Sequence, residues 1–503
     1  MTAGLSAFEL SIYILSWTGF VVYSMYKCHL ASDKYSQYLS EDLVPGWQWL
    51  GRKADTADFE WKMWTPIFFS WLKYVTPYLI ISLVLRKKYP QSVPLICILI
   101  SFSWLCKMLG LCLTFFLFLQ PVLFYWILML FSMKVVWLTC IGFTLALHVF
   151  HVTEMIGGLF EENTTQDTYF FAVILSWTHV RSISFLADNY SWEEGKNNWK
   201  DFYHYCFYLP LLPSGPMMLY KEFKLSIEKI PSPERTWIHL MRSLAVITRY
   251  LFWRFFHELA LHYFYHSALQ YNIAIVRRLD VWSAAGLGYS LGQFFMTKYV
   301  VMYGVSSALA RLDHVDAPPP PKCVGRIHLY SQMWRDFDRG LYNFMVNYIY
   351  VPCKRTSDLV WSKLAGTALC FGFVCIWHGA SVSVLVWCVA NYLGICLETT
   401  AKYLSTRPPF VGWKTNWSDS NWLRFQAAIA SPLLLMSALS NFCFFTDANV
   451  GYVLARKAVY EGGILRLSCI LFAMYCCCHV SMALGRRKQN AKFTHNDQLL
   501  HQE

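Results

Sequence analysis

The chain has 503 residues, of which 56% are hydrophobic, 18% aromatic and only 15% charged, and its net charge is +12. A water-soluble domain carries about 25% charged residues, so this composition excludes an ordinary soluble protein. No run of alternating basic and aromatic residues stands apart from the apolar segments. The positive charge therefore does not indicate nucleic-acid binding; it is typical of the cytosolic loops of a membrane protein.

The apolar residues come in blocks of about 20, the length that crosses a bilayer as a helix, and they predict an all-α polytopic membrane protein. The first block, Phe8–Tyr26, lacks the basic start and small-residue cleavage site of a signal peptide, so we expect a retained anchor. The second, Trp64–Leu85, ends on the basic cluster Arg86–Lys88, which the positive-inside rule places in the cytosol. The acidic loop Asp33–Lys62 is then luminal. Because the C-terminal tail is also basic, both termini are expected in the cytosol.

Further apolar runs continue to Leu484, and together they predict about ten transmembrane helices. Two stretches cannot be ordinary spans. Tyr208–Pro216 contains three prolines, each of which removes a backbone donor, and the amphipathic stretch Leu341–Pro352 is too short to cross. Broken backbone at membrane depth is tolerated only where protein buries it or where it lines a cavity, so we interpret both as re-entrant. No loop is long enough to fold alone, and residues 1–503 are expected to form a single membrane-embedded domain.

A set of ionisable residues, Arg254, Glu258, His262 and His266, recurs every four positions and predicts one face of one helix. Inside a bilayer such a face must meet protein or water, so it either lines a polar cavity or forms a packing network. The segment His257–His262 is similar to the zinc motif H-E-x-x-H, but its histidines are five residues apart rather than four. They would lie about 140° apart around a helix, and we reject a zinc protease.

Cys323 differs from most of the 17 cysteines, which lie in apolar runs and behave as small hydrophobic residues. It follows four prolines and Lys322 in a loop between spans. The prolines fix the backbone, and a neighbouring cation favours the thiolate. Three alternatives stay open: a surface thiol, an axial ligand of haem iron and a lipidation site. The sequence shows neither a disulfide framework nor two cysteines at zinc spacing.

Residues 366–380 form an apolar run with one ionisable side chain, His378. An ionisable group at membrane depth is costly and usually faces an interior cavity, and histidine is well suited to move a proton near neutral pH. A structural histidine bonded to a carbonyl group is the alternative. Asp338, in the charged and aromatic segment Trp334–Gly340, is the acidic residue nearest to the second re-entrant stretch. Together His378 and Asp338 would supply the acid–base pair that acyl transfer needs.

An ordered set of motifs resembles the membrane-bound O-acyltransferase superfamily, and within it the branch that acylates Hedgehog-type secreted proteins. The matching segments are Asp58–Trp61, Leu212–Pro216, Cys323 after its prolines, Met333–Phe344 and Trp377–Gly379. A lone Trp-His-Gly would be weak evidence, whereas the whole set in this order is specific.

The resemblance implies an enzyme of the endoplasmic-reticulum membrane with a central tunnel through a helical core. It would transfer palmitate from palmitoyl-CoA to the amino group of the N-terminal cysteine of a Hedgehog-type protein in the lumen. His378 matches the membrane histidine of the family, and Asp338 stands where most of the superfamily has Asn. Cys323 matches a ligand of haem b iron. One related class lacks the histidine and is expected to be inactive, whereas this chain retains it.

The same motif supplies the residues that we assign to substrates. Trp334 matches an aromatic residue near the cytosolic gate of the tunnel, and Arg335 and Asn343 complete the expected substrate-binding set. Basic residues flank the second re-entrant stretch and are suited to charge-assisted bonds with CoA phosphates; these residues are Arg335, Arg339, Lys354 and Arg355.

A mechanism follows from the chemistry of the substrates. The thioester is already activated, so the enzyme must mainly orient the substrates and remove a proton from the attacking amine. An apolar environment favours the neutral imidazole, which makes His378 the expected base, while Asp338 would position the thioester end. Other functions stay open: an inactive regulator that binds acyl-CoA, or transfer to another secreted protein or a lipid. A transporter would show paired broken helices in two related halves, and the sequence shows none.

Overall fold

The computed structural model describes residues 4–150, 152, 155, 165–189, 199–229, 236–354 and 360–500. The helices of the first half are α1 (Ala7–Tyr35), α2 (Phe59–Lys88), α3 (Val93–Leu130), α4 (Met133–His148), α5 (Thr165–Asn189), α6 (Trp199–Cys206), α7 (Tyr220–Glu228) and α8 (Thr236–Leu261). Two short strands, β1 (Leu43–Pro45) and β2 (Lys53–Asp55), pair antiparallel with Leu43 opposite Asp55.

The second half is helical as well. Its helices are α9 (His266–Tyr271), α10 (Ile273–Arg278), α11 (Val281–Leu312), α12 (Tyr330–Phe337), α13 (Arg339–Met345), α14 (Val351–Lys354), α15 (Val360–Trp377), α16 (Val382–Leu404), α17 (Phe410–Asn416), α18 (Asp419–Phe445), α19 (Ala448–Arg456) and α20 (Gly463–Leu500).

Within the described residues, seven helices are long and apolar enough to cross a membrane. They are Ala7–Leu39, Phe59–Arg86, Pro90–Ile127, Thr165–Asn189, Val382–Leu404, Asp419–Phe445 and Gly463–Arg487. Met133–His148 and Trp361–Trp377 are shorter apolar helices. The prediction of an all-α polytopic membrane protein is confirmed.

The long helix α11 packs between α1 and α8. Two of its glycines permit this close approach. A Cβ atom on Gly286 would lie 2.0 Å from the carbonyl oxygen of Ser24, and one on Gly304 would lie 2.5 Å from the ring of Tyr250. Small residues commonly allow membrane helices to approach in this way. Because these contacts fix α11, they also fix the side chains that it presents to the interior.

The predicted luminal loop Asp33–Lys62 contains the β-hairpin, which the sequence did not lead us to expect. Asp55, at the end of β2, is buried, and its carboxylate accepts hydrogen bonds from three backbone N–H groups. The donors are Ala57 at 3.0 Å, Ser267 at 2.8 Å and Ala268 at 3.2 Å. Burial raises the pKa of Asp55 to about 7, against the preference of the three N–H groups for the ionised form. These bonds tie the hairpin to the start of α9.

The proline-rich stretch Tyr208–Pro216 is not a continuous helix, as predicted. Only Leu209–Leu211 forms a short 3₁₀ turn, and protein buries the whole stretch. Arg181 of α5, only 2% exposed, donates hydrogen bonds to the carbonyl oxygens of Cys206 at 2.9 Å and Leu211 at 2.6 Å. The buried arginine thus satisfies backbone acceptors that the broken helix leaves open.

The second broken stretch, Leu341–Pro352, consists of α13 and α14 joined by a π-helical turn at Val346–Tyr350. Its beginning is fixed at Gly340, where a Cβ atom would lie 1.9 Å from the carbonyl oxygen of Met217. Met217 directly follows the first broken stretch. The two irregular segments therefore contact each other inside the protein, where irregular backbone is tolerated.

The prediction of one helical stripe from Arg254 to His266 is wrong. Helix α8 ends at Leu261, His262 lies in the following turn, and His266 begins α9. The Nε2 atom of His262 accepts a hydrogen bond from the backbone N–H of Trp47 at 3.0 Å. The chain leaves the helix here to contact the loop of the hairpin, which four-residue periodicity in the sequence cannot show.

Candidate active site

A large cavity of about 680 Å³ lies beside α11, and α12, α13 and α15 contribute to its wall. Apolar and aromatic side chains make up most of the lining. Its polar residues include His378, Asp338, Tyr299 and Tyr303. A mostly apolar cavity with a few convergent polar groups is the usual form of a small-molecule site.

His378 reaches the cavity because α15 stops just before it. Gly379 and Ala380 have φ angles of +86° and +52°, in the left-handed region that favours glycine. The chain turns there, and the ring of His378 is left exposed to the cavity. The ring of Phe444 meets it edge-on with centroids 5.2 Å apart. The imidazole is therefore flanked by an aromatic ring and open toward the space where a substrate would lie.

Asp338 lies between α12 and α13 and forms the N-cap of α13. One of its carboxylate oxygens accepts a hydrogen bond from the N–H of Leu341 at 2.9 Å. The other accepts from the hydroxyl of Tyr303 on α11 at 3.1 Å. A helix cap and a cavity-lining tyrosine thus orient the carboxylate.

The structure brings the two residues predicted for catalysis to one cavity, although they lie on separate elements. His378 arrives from the end of α15 and Asp338 from the junction of two short helices. Their catalytic roles stay predictions.

The three residues predicted to bind substrate lie in different environments. Trp334 lines the cavity, and its ring meets that of Trp387 edge-on at 5.1 Å. Arg335 is exposed. The amide of Asn343 donates to a carboxylate oxygen of Glu222 on α7 at 3.5 Å. Of the three, only Trp334 belongs to the cavity lining.

The basic residues predicted for CoA are partly engaged within the protein. Arg339 lies 3.9 Å from the carboxylate of Asp336, which Lys322 contacts at 3.0 Å. Burial works to raise the pKa of Asp336, but the bond to Lys322 and the neighbouring cations hold it below its ordinary value. Arg335 remains exposed, and Arg355 lies outside the described residues.

Cys323 is exposed in the loop between α11 and α12. Lys322, expected to favour its thiolate, instead contacts Asp336. Tyr289 and Cys477 lie within electrostatic reach of the thiol. In the part of the chain that the structure describes, no group of three or more His, Cys, Asp or Glu could hold a metal ion. The assignment of Cys323 as a ligand of haem iron therefore stays a prediction.

A charge cluster around the buried Lys298 lies beside the cavity and was not predicted from the sequence. Lys298 of α11 lies 2.9 Å from Asp58 and 2.8 Å from Glu60, and Glu60 also accepts from the hydroxyl of Tyr299 at 2.8 Å. Burial works to raise the pKa of Asp58, but Lys298 and the N–H of Trp61 hold it below its ordinary value. A lysine within an apolar run was the available signal, since such a charge needs a partner.

The family of the chain follows from these features and from direct comparison. The model of the family described as MBOAT, membrane-bound O-acyltransferase family, matches residues 116–440, which is more than half of the chain. The chain therefore belongs to the membrane-bound O-acyltransferase family and is a multi-pass membrane protein of acyltransferase type.

Individual relatives match over nearly the full length. The chain is 27% identical over 489 residues to protein-cysteine N-palmitoyltransferase Rasp of Drosophila melanogaster, covering 93% of each chain. It is 25% identical over 503 residues to protein-cysteine N-palmitoyltransferase HHAT of Mus musculus, covering 95% of this chain and 98% of that one. It is also 26% identical over 499 residues to the HHAT-like protein of Mus musculus, with 94% of each chain covered.

Proposed function

We propose that this chain is a protein-cysteine N-palmitoyltransferase of the endoplasmic-reticulum membrane. It transfers palmitate from palmitoyl-CoA to the amino group of the N-terminal cysteine of a Hedgehog-type secreted protein. The observation that carries the proposal is the placement of His378 and Asp338 on one apolar cavity. The names of the Drosophila and mouse relatives support the same reaction class.

The cavity suits the acyl donor. Aromatic and aliphatic walls can enclose an acyl chain, while Asp338 and its hydrogen-bond partner Tyr303 provide polar groups for the thioester end. Holding the thioester and the amine at a fixed separation makes the reaction effectively unimolecular, which is a large part of the rate gain available to an acyl transferase.

The transfer step uses His378 as the base. The amine nitrogen attacks the thioester carbonyl, so a C–N bond forms as the C–S bond breaks. The neutral imidazole takes a proton from the attacking nitrogen and returns it to the sulfur of the departing CoA. Asp338, oriented by the N–H of Leu341 and the hydroxyl of Tyr303, positions the acyl group for attack.

Each substrate reaches the cavity from its own side. The charge pattern places Arg86–Lys88 and both termini in the cytosol and the loop Asp33–Lys62 in the lumen. Palmitoyl-CoA then enters past Trp334 and the neighbouring arginines from the cytosol, and the secreted acceptor enters from the lumen. Neither polar end needs to cross the bilayer.

The Cys323 thiolate is the residue that would hold the iron of haem b. When bound, the iron would form a bond to the thiolate and so restrain the loop between α11 and α12. Purified protein should then show a Soret band that Cys323→Ala abolishes. A protein without that band, or with a band that the substitution leaves unchanged, would make Cys323 a surface thiol or a lipidation site.

The decisive assay combines purified protein, labelled palmitoyl-CoA and a peptide that begins with cysteine. We expect palmitate on the peptide in a linkage that resists hydroxylamine, because an amide does and a thioester does not. The same peptide with an acetylated N-terminus should stay unlabelled. Binding of palmitoyl-CoA without transfer would indicate a regulator, and label on an added lipid would indicate a lipid acyltransferase.

A further inference from the structure

A chain of polar side chains leads from the cavity along α11. Tyr303 donates its hydroxyl to Asp338 at 3.1 Å, and Tyr299, one helical turn earlier, donates its own to Glu60 at 2.8 Å. The two tyrosine rings meet edge-on with centroids 5.1 Å apart, and both line the cavity. Two hydrogen-bonded pairs thus lie side by side on one cavity wall.

The far end of this chain is partly open to the outside. The side chains of Asp58 and Glu60 are 30% and 27% exposed, whereas that of their partner Lys298 is only 6% exposed. Both carboxylates belong to the start of α2, next to the predicted luminal loop. Two carboxylates that share one lysine carry one negative charge more than that lysine neutralises.

The reaction requires such an acceptor. An N-terminal amine has a pKa of about 7.7 and arrives mostly as the ammonium ion below that pH. One ammonium and one thioester give one amide, one CoA thiol and one free proton. The ammonium loses two protons, and His378 carries only the one that ends on sulfur. The first proton must leave by another route before the nitrogen can attack.

We propose that Tyr303, Tyr299 and Glu60 form a proton-release path that carries the first proton of the acceptor ammonium from Asp338 toward the lumen. This inference rests on the proposed function. A tyrosine hydroxyl both donates and accepts, so a proton can enter at one lone pair while another leaves, and the residue ends unchanged. Because Tyr303 donates to Asp338, its hydroxyl must turn before Asp338 can pass it a proton, and a water between the two tyrosine hydroxyls must complete the path. Glu60 passes the proton to outside water.

The surroundings of Glu60 suit this role because charged side chains from several helices lie around it. Lys298 is held by both carboxylates and acts as a fixed counter-ion. The indole N–H of Trp61 donates to Glu258 at 3.0 Å, which links the cluster to α8. The titratable or charged residues near Glu60 are Lys298, Tyr169, Tyr299 and Tyr303. Those near its neighbours Asp58, Trp61 and Lys298 are Asp55, Arg254, His257, Glu258, His266 and Tyr271.

The test is the pH dependence of Tyr299→Phe, which removes the hydroxyl but keeps the ring. The measured quantity is kcat/KM for a cysteine-led peptide at saturating palmitoyl-CoA, as a ratio to the wild type. At pH 6.5 only about one amine in sixteen is neutral. A variant that can use only the neutral amine should therefore have a kcat/KM about tenfold below that of the wild type at pH 6.5. At pH 9 its kcat/KM should be within about twofold of the wild-type value. Glu60→Gln should show the same profile.

Tyr289→Phe is the matched control, since Tyr289 lies on the same helix and lines the same cavity but is outside the path. The ratio of its kcat/KM to that of the wild type should be the same at every pH from 6.5 to 9. If Tyr299→Phe lowers kcat/KM equally at every pH, or lowers it at no pH, the proposed path is wrong. If Glu60→Gln does not fold, the pH profile of Tyr299→Phe alone tests the path. A wild-type protein that transfers nothing to the peptide refutes the proposed function itself, and the path with it.

Discussion

At the scale of single residues, the histidines differ in what their rings contact. His179 is hydrogen-bonded to Thr144 at 2.9 Å and links α5 to α4, whereas His328 is hydrogen-bonded to Ser481 at 2.8 Å and links the loop before α12 to α20. The ring of His378 instead faces the cavity. A ring open to a substrate site can exchange a proton with a bound molecule, whereas a ring hydrogen-bonded to another part of the protein mainly stabilises packing.

His378→Ala should leave a folded, membrane-inserted protein that transfers palmitate about 10²-fold more slowly, the typical effect of losing a general base. The measurement is kcat with purified protein, palmitoyl-CoA and peptide. Cys375→Ala on the same helix is the control and should stay near the wild-type rate. Near-normal turnover by well-folded His378→Ala protein would remove the residue from the mechanism.

At the scale of elements, the contact between the two broken stretches positions Asp338. Gly340→Ala would place a methyl group 1.9 Å from the carbonyl oxygen of Met217, so α13 or the proline-rich segment must shift. Overpacking of this kind costs about 1–3 kcal/mol or more. We expect a lower melting temperature in detergent and reduced transfer.

Gly372→Ala provides the matched control for that substitution. A Cβ atom at Gly372, within α15, would meet nothing within 4 Å, and alanine is favoured over glycine inside a helix by about 1 kcal/mol. Its melting temperature should be unchanged or higher. Equal stability of Gly340→Ala and Gly372→Ala would show that the contact with Met217 does not fix α13.

The segment of α12 and α13 also carries the predicted CoA contacts. Replacing Arg335 and Arg339 together by Gln should raise the KM for palmitoyl-CoA several-fold, because charge-assisted bonds to phosphates are lost. The KM for the peptide should change little. The exposed pair Arg277 and Arg278 on α10 offers a control with the same change in charge. If only the KM for the peptide responds, the acyl-CoA enters from the other side.

The sequence predicted the elements where length and proline decide them. Apolar blocks predicted the membrane helices, although the described residues hold seven that are long and apolar enough to cross, against about ten expected. The prolines of Tyr208–Pro216 excluded a helix there. It could not predict the β-hairpin, because strands of three residues are too short to show alternation. Nor could it predict the end of α8 at Leu261, since a tertiary contact between His262 and Trp47 replaces the next helical turn.

At the scale of the whole molecule, the candidate site is assembled from parts that are distant in the chain. The chemistry of single residues indicated His378 and Asp338 as candidates, and the family resemblance implied catalytic roles that stay predictions. The hydrogen bond from Tyr303 and the pairing of Glu60 with Lys298 depend on where α11 lies against α2 and α13. A lysine in an apolar run indicates that it needs a partner but not which one, so the proposed proton-release path could be inferred only from the structure.

The central claim is that one cavity joins a cytosolic acyl donor to a luminal acceptor. In sealed microsomes, a cysteine-led peptide added outside should be acylated poorly until detergent opens the membrane. Palmitoyl-CoA added outside should act at once on acceptor trapped inside. A lipid acyltransferase, or an enzyme with a cytosolic acceptor, would show no such latency.

The most direct measurement is the rate of peptide palmitoylation in verified sealed microsomes before and after permeabilisation, with palmitoyl-CoA outside throughout. We expect a low rate that rises steeply when the membrane is opened, and no rise in microsomes carrying His378→Ala. Full activity toward outside peptide on intact vesicles would contradict the two-sided cavity and the Hedgehog-type acceptor.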